Sequence, residues 1–410
     1  MSGVDRRARA VAPGRYALAN AGWLVVGSAL ALSVIGIYTI DVSSGMGSGG
    51  PSRWAVRQAV FLVIGVAAAG AVAWPSYRRA IPLVWVFGLA VVGLLVFVLL
   101  PFVPEEIVRA KNGARRWINV GVTEFQPSEL AKVAFVLVMA SYLRYRRNHR
   151  SVRGLVGPSL IAFVPMGLIL VEPDLGTATL FVPTLLAMLV AAGARLKHLV
   201  SAGVLAGVFA AVVVLLSLGL AEADRYPLLR EHQVERIRAV IDQFRGDERF
   251  VQDRGFQGRQ AMTLGGAGGV WGHGEEHSRA LAHFSALPER HNDMIFAVLL
   301  NRFGFVGAAV TLGLYLVWVL GALLVAANCK DPFGRLVAVG IAAIVAAQMG
   351  VNVGMTLGLL PITGMTLPFV SYGGSSLVVV WMMVGLVVNV GIRRPAYLWQ
   401  KSFEFDDEVG

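Results

Sequence analysis

The sequence has little charge and almost no cysteine. Asp, Glu, Lys and Arg make up 15% of its 410 residues, where soluble domains carry roughly a quarter. With 56% hydrophobic residues there is too little polar surface to cover a water-facing fold, which excludes a soluble protein and leaves a polytopic membrane protein. The single cysteine, Cys329, excludes an internal disulfide and a cysteine-based zinc site, and it leaves the redox compartment open. A glycine-rich stretch is present, but it has neither the GK[ST] of a P-loop nor the dinucleotide fingerprint, so a nucleotide is not expected. No small-residue cleavage site follows the first apolar run, which therefore reads as a retained span. The net charge of +11 is explained by Lys and Arg collecting in cytoplasmic loops, not by a nucleic-acid partner.

Apolar runs are present in abundance. They cover residues 17–40, 54–74, 80–101, 128–144, 155–171, 176–194, 198–220, 293–327, 336–360 and 366–392, mostly long enough to cross a bilayer as helices. The expected fold is therefore all-α, with ten transmembrane helices in a single domain of residues 1–410. Pro158, Pro165, Pro173 and Pro183 threaten the fifth and sixth runs, because proline removes a helical hydrogen bond. Basic residues recur on alternate connections: Arg6 to Arg15, Arg78 and Arg79, Arg144 to Arg153, Arg195 and Lys197, Lys330 and Arg335, then Arg393 to Lys401. That alternation places both termini (1–16 and 393–410) in the cytoplasm and the connections 102–127, 172–175, 221–292 and 361–365 outside.

The outer connection 221–292, between spans seven and eight, is far longer than a usual loop, and such loops are functional or disordered. It holds five of the seven histidines (His232, His273, His277, His283 and His291). Residues 234–244 have the apolar spacing of an amphipathic helix lying on the membrane surface. Gly265, Gly266, Gly268, Gly269, Gly272 and Gly274 let backbone approach a ligand closely, or simply turn. His273 and His277 have the i,i+4 spacing of zinc ligands on a helix, but the glycines around them oppose a helix.

The loop ends in LPERHNDMIF, where a charged segment runs into an apolar helix. Asp293 at that junction is a candidate base, because partial desolvation raises a carboxyl toward proton-accepting range; as a first-turn acid or N-cap it would be ordinary. NGARRWINVGVTEFQPSELAK sets Arg115 and Arg116 ahead of a helix capped by Ser128, with Pro127 and Ser128 fixing its start. Glu129 and Lys132 then share one face, to pair with each other or to meet a ligand. Asp174 in EPDLGT is either a cap or a functional acid. In PITGMTLPFVSYGGSS, Ser371 and Ser375 offer donors, although Gly373, Gly374 and Ser375 also suit close helix packing. Brought together, Arg116, Glu129, Lys132, Asp174, Arg236, Gln260 and Asp293 would line an outward-facing polar cavity. Such a cavity suits a lipid with an anionic phosphate head and sugar hydroxyls.

Taken in order, NGARRWI, FQPSELAK, EPDLGT, the QxxxxxGGAGG stretch from Gln260, LPERHNDMIFAV and LPFVSYGGSS resemble the shape, elongation, division and sporulation (SEDS) family. These are the RodA and FtsW membrane proteins of bacterial cell-wall synthesis. LPERH and PITG are closer to RodA. The resemblance covers spans one to ten and implies a peptidoglycan glycosyltransferase that polymerises lipid II at the outer face of the cytoplasmic membrane during elongation. It implies Asp293 as the general base, undecaprenyl diphosphate as the leaving group, and Arg116, Glu129, Lys132, Asp174, Arg236, Gln260, Ser371 and Ser375 as substrate-binding residues. A class B penicillin-binding protein would be the partner, and a divalent cation (Mg or Mn) is compatible with the chemistry. The chain departs from the family pattern at Asn301 and Arg302, where paired glutamates are usual, and at His273, where lysine is usual. A lipid II flippase and a non-enzymatic scaffold for the transpeptidase are the competing readings.

Overall fold

The computed structural model describes residues 21–44, 50–111, 114–121, 124–145, 153–197, scattered positions from 199 to 219, and 256–393. Its helices in chain order are α1 (Gly22–Ser43), α2 (Arg53–Ala73), the short α3 (Tyr77–Ala80) and, after one 3-10 turn, α4 (Val84–Leu99). Three strands follow: β1 (Val108–Lys111), β2 (Ala114–Asn119) and β3 (Glu124–Phe125). Then come α5 (Pro127–Leu143), α6 (Val156–Val171), α7 (Leu175–Thr179), α8 (Phe181–Ala191), α9 (Phe256–Ala267), α10 (Glu275–Phe284), α11 (Ile295–Asn328), α12 (Pro332–Thr356) and α13 (Gly374–Ile392).

Among the described residues, seven helices are long and apolar enough to cross a membrane. They match the expected spans one to three, five and eight to ten. The fourth, α5, is 17 residues long and carries Glu129 and Lys132, and the sixth is split into α7 and α8. The seventh falls largely outside the described residues, as do Arg236 and the segment 234–244. Pro165 sits inside an unbroken α6.

The all-α expectation is corrected in one place. The connection after α4 forms a three-stranded antiparallel sheet in the order β1-β2-β3, with Val108 opposite Ile118 and Ile118 opposite Phe125. Ile118 and the buried Val108 pack with Val98 and Val103 in a small apolar cluster of their own. Once that segment buries side chains, its backbone polar groups must pair internally, and hairpin pairing achieves this. Two helix starts also differ from the sequence reading. Gln126 is the N-cap of α5, with Pro127 at the first turn and Ser128 buried inside the helix. Met294, not Asp293, is the N-cap of α11, and it makes no side-chain cap bond.

In the bundle, α2 lies along α13 and α1 along α11, while α12 is flanked by α11, α8 and α5. α12 and α13 are the most enclosed spans. α11 is broken at Gly304, whose φ of 66° is left-handed. The glycine-rich stretch fills that break. Gly269 and Val270 carbonyls accept from Phe305 N (2.9 Å) and Val306 N (3.1 Å), and His273 N donates to Asn301 O at 3.1 Å. A Cβ at Gly268 would meet Leu300 O at 2.1 Å, and one at Gly272 would meet Arg302 O at 2.3 Å. The glycines therefore allow backbone-to-backbone contact with α11. His273, Asn301 and Arg302 all lie here: Arg302 donates to His273 O (2.9 Å) and to the Tyr38 hydroxyl (3.1 Å), and Asn301 donates to Leu264 O (3.0 Å).

Candidate functional site

The site is built on α12, where Gln348 and Asn352 stand one turn apart on the same face, both buried. An uncompensated amide in a membrane span is costly; Gln348 uses both ends of its amide, and Asn352 uses its Nδ2 twice. Gln348 Oε1 accepts from Lys132 Nζ at 3.0 Å, and Gln348 Nε2 donates to Thr366 O at 2.9 Å. Lys132 lies 2.9 Å from Glu129, so the α5 pair is an intrahelical ion pair that also reaches a neighbouring span. Thr366 continues the chain of polar contacts to Ser376 at 3.4 Å.

One turn further along α12, Asn352 Nδ2 donates to Asp293 O (2.8 Å) and to Met365 O (2.6 Å). This fixes the main chain of Asp293 and the turn at 361–365 to one rigid helix. The turn is where distant segments meet. Gly364 has φ +73°, and a Cβ on it would lie 4.0 Å from Oδ2 of Asp293. A Cβ on Gly176 would lie 3.2 Å from Thr363 O, and one on Gly258 3.5 Å from Ile362. The carboxylate of Asp293 therefore faces the turn that also receives the EPDLGT segment and α9. Asp293 is 5% exposed. On the other side, Ser371 Oγ donates to Asn292 O (2.6 Å) and accepts from Leu367 N (2.7 Å), while Gln58 Nε2 donates to Ser371 O (2.9 Å). His291 stacks on Trp54 at 4.9 Å, and burial pushes its imidazole below the usual histidine range.

The outer wall is made by β2 and the turn before α7. Arg116 Nε donates to Glu172 O at 2.7 Å and its Nη2 donates to Pro173 O, so the guanidinium is anchored on main-chain carbonyls. Asp174 is the N-cap of α7, accepting from Thr177 N (3.1 Å), Thr177 Oγ1 (2.9 Å) and Gln126 Nε2 (3.0 Å). Glu172 is 1% exposed and neither of its carboxyl oxygens has a hydrogen-bond partner. Burial, with the Asp174 carboxylate beside it, pushes its carboxyl up to about 8 against the pull of Arg116.

A family profile described as cell cycle protein, covering FtsW, RodA and SpoVE, matches residues 20–395. The chain belongs to the FtsW/RodA/SpoVE family. It is 34% identical over 345 residues to stage V sporulation protein E of Bacillus subtilis (strain 168), covering 82% of this chain and 86% of that protein. It is 32% identical over 283 residues to the peptidoglycan glycosyltransferase MrdB of Escherichia coli (strain K12), covering 69% and 72%. Among solved structures it resembles a peptidoglycan synthase complex that coordinates polymerization and crosslinking, with TM-score 0.70, 30% identity and coverage of 90% and 97%. The rod shape determining protein RodA of Thermus thermophilus gives TM-score 0.62 at 28% identity, covering 90% and 96%. Stage V sporulation protein E, FtsW and MrdB relatives match at 31–34% identity, so identity alone does not choose among them.

In this FtsW/RodA/SpoVE member, Asp293, Glu129 and Lys132 share one framework through α12, and Arg116 and Asp174 meet at the neighbouring turn. Gln260 is half-buried on α9, two residues from the Gly258 contact with Ile362. Ser375 is half-buried in the first turn of α13, where its neighbour Ser376 makes the contact to Thr366. Sequence reasoning missed Gln348, Asn352, Gln58, Gln126, Thr366 and Glu172. Gln58, Gln348 and Asn352 had a readable signal, since amides inside apolar spans need partners. The His273 and His277 rings stand 4.7 Å apart, but among the described residues no three His, Cys, Asp or Glu side chains are grouped to hold a metal ion.

Proposed function

We propose that the chain is a peptidoglycan glycosyltransferase, as MrdB and the FtsW relatives are named, and that it polymerises lipid II with Asp293 as general base. The observation that carries this reading is the setting of Asp293. A nearly buried carboxylate lies against the Gly364 turn, with its main chain held by Asn352 on the same helix that receives Lys132. Asp293 takes the proton from the 4-hydroxyl of an acceptor N-acetylglucosamine as that oxygen attacks the anomeric carbon of the donor N-acetylmuramic acid. The anomeric bond to undecaprenyl diphosphate breaks, and a single displacement turns the α-linked donor into a β-1,4 glycan. Diphosphate is a good leaving group, so one carboxylate suffices where glycosidases use two. Arg116 offsets the charge that grows on the diphosphate, Arg236 is placed with it from its sequence alone, and Lys132, paired with Glu129 and Gln348, belongs to the frame that holds Asp293. Gln260, Asp174, Ser371 and Ser375 complete the substrate contacts. The LPERH and PITG segments favour elongation over division. The protein sits in the cytoplasmic membrane with both termini inside and this site outside, working beside a class B penicillin-binding protein.

Purified protein, lipid II and that transpeptidase test the reading. Wild type yields glycan polymer, and Asp293→Asn, which keeps shape and loses basicity, lowers the rate by roughly 10² to 10⁴. Polymer formed at the wild-type rate by the Asn variant would remove Asp293 from catalysis. Lipid crossing liposomes without polymer would instead indicate a flippase. Stimulated crosslinking with no polymer would indicate a scaffold.

A further inference from the structure

One group in the outer wall has no role in the mechanism above. Glu172 caps the end of α6 with its carboxyl enclosed and both oxygens unpartnered, whereas Asp174, two residues on, has three donors. An ionised carboxylate without a single donor is not stable in such a place, because desolvation costs several kcal/mol. Among the described residues Arg116 is the cation that acts on this carboxyl, yet it donates to the carbonyls of residues 172 and 173 and makes no ion pair with the Glu172 carboxyl. Among the described residues, two charged groups face Glu172, namely Asp174 from the start of α7 and Arg116 from β2. The turn at 361–365 packed on the same segment brings Pro, Ile, Thr, Gly and Met, none of which titrates.

We propose that Glu172 is a positioning residue that stands as an uncharged acid, leaving Arg116 on the carbonyls of residues 172 and 173 with its charge available to an anionic lipid head. When Glu172 loses its proton, the carboxylate becomes a stronger acceptor than either carbonyl and draws the guanidinium onto itself. The cation is then neutralised and turned away from the diphosphate. This inference rests on the glycosyltransferase reading for its consequence, but not for the protonation state itself.

Two measurements on the full-length protein decide it. The first is the pH profile of polymerisation. Wild type falls about tenfold per pH unit once the pH passes about 8, while Glu172→Gln, uncharged at every pH, shows no such fall. A fall of the same size and position in the Gln variant, or none in wild type, would overturn the proposal. The second is the infrared spectrum near neutral pH, taken without substrate. The wild-type minus Glu172→Gln difference shows a carboxylic acid C=O band that gives way to carboxylate bands as the pH passes about 8. Carboxylate bands already at neutral pH would refute it even in a preparation that makes no polymer, so failure here is separate from failure of the glycosyltransferase reading.

Discussion

The two walls of the site are held in different ways. The inner wall joins side chain to side chain across spans: Glu129 to Lys132, Lys132 to Gln348, and Asn352 on the next turn to the main chain of Asp293. The outer wall joins side chain to main chain within turns, with Arg116 on two carbonyls and Asp174 on its own helix start. The difference is one of charge. In the inner wall the buried cation and anion cancel, which removes most of the cost of keeping ions inside a bundle. In the outer wall Arg116 is oriented by neutral carbonyls, so its orientation is fixed while its charge remains for a ligand. One wall supplies a rigid frame for Asp293, the proposed base, and the other holds a cation that no carboxylate among the described residues pairs with.

Breaking the inner wall has the larger expected effect. Lys132→Met leaves Glu129 and Gln348 buried without their cation and should cost about 3–5 kcal/mol, read as a drop in melting temperature in detergent. The double replacement Lys132→Met with Glu129→Leu removes both charges and should regain most of that stability. Asn352→Leu comes next. Two carbonyls lose their donor, at about 1–3 kcal/mol each, and Asp293 loses its brace, so activity should fall more than melting temperature does. In the outer wall, Arg116→Lys keeps the charge but cannot span two carbonyls as a planar fork does. It should leave the melting temperature nearly unchanged while raising KM for lipid II by about tenfold, the equivalent of 1.4 kcal/mol. Gln126→Ala is expected to be the mildest, about 1 kcal/mol for one donor lost from Asp174. If Arg116→Lys destabilised the fold as much as Lys132→Met, the contrast between frame and presented charge would not hold.

The spans and the chemistry-bearing motifs were readable because hydropathy and turn residues are local signals. Glu129 with Lys132 is readable from spacing as a pair or a ligand contact, and Asp174 as a cap or a functional acid; the structure shows the pair and the cap. The sheet at 108–125 was not readable, since its strands are short and draw their stability from packing on Val98 and Val103. The glycine-rich stretch was readable as a place of close approach, but its partner, the broken α11, lies beyond an intervening helix in the sequence. For Asp293 the sequence left a desolvated base and an ordinary cap side by side, and the structure removes the cap reading, since the N-cap is Met294. Glu172 went unnoticed because nothing local separates a satisfied carboxylate from an orphaned one.

What the sequence determined by itself is the membrane class, most of the spans and the set of polar residues too costly to leave in lipid without a purpose. Composition and periodicity are properties of neighbouring residues, and solvation alone enforces them. Only the tertiary structure decided which of those polar groups share a partner. Gln348 and Asn352 select Lys132 and Asp293 across intervals of 216 and 59 residues, and Glu172 is left with no donor two residues from an Asp174 that has three. Those pairings depend on how helices are laid side by side, which hydrogen bonds sense only at contact distance.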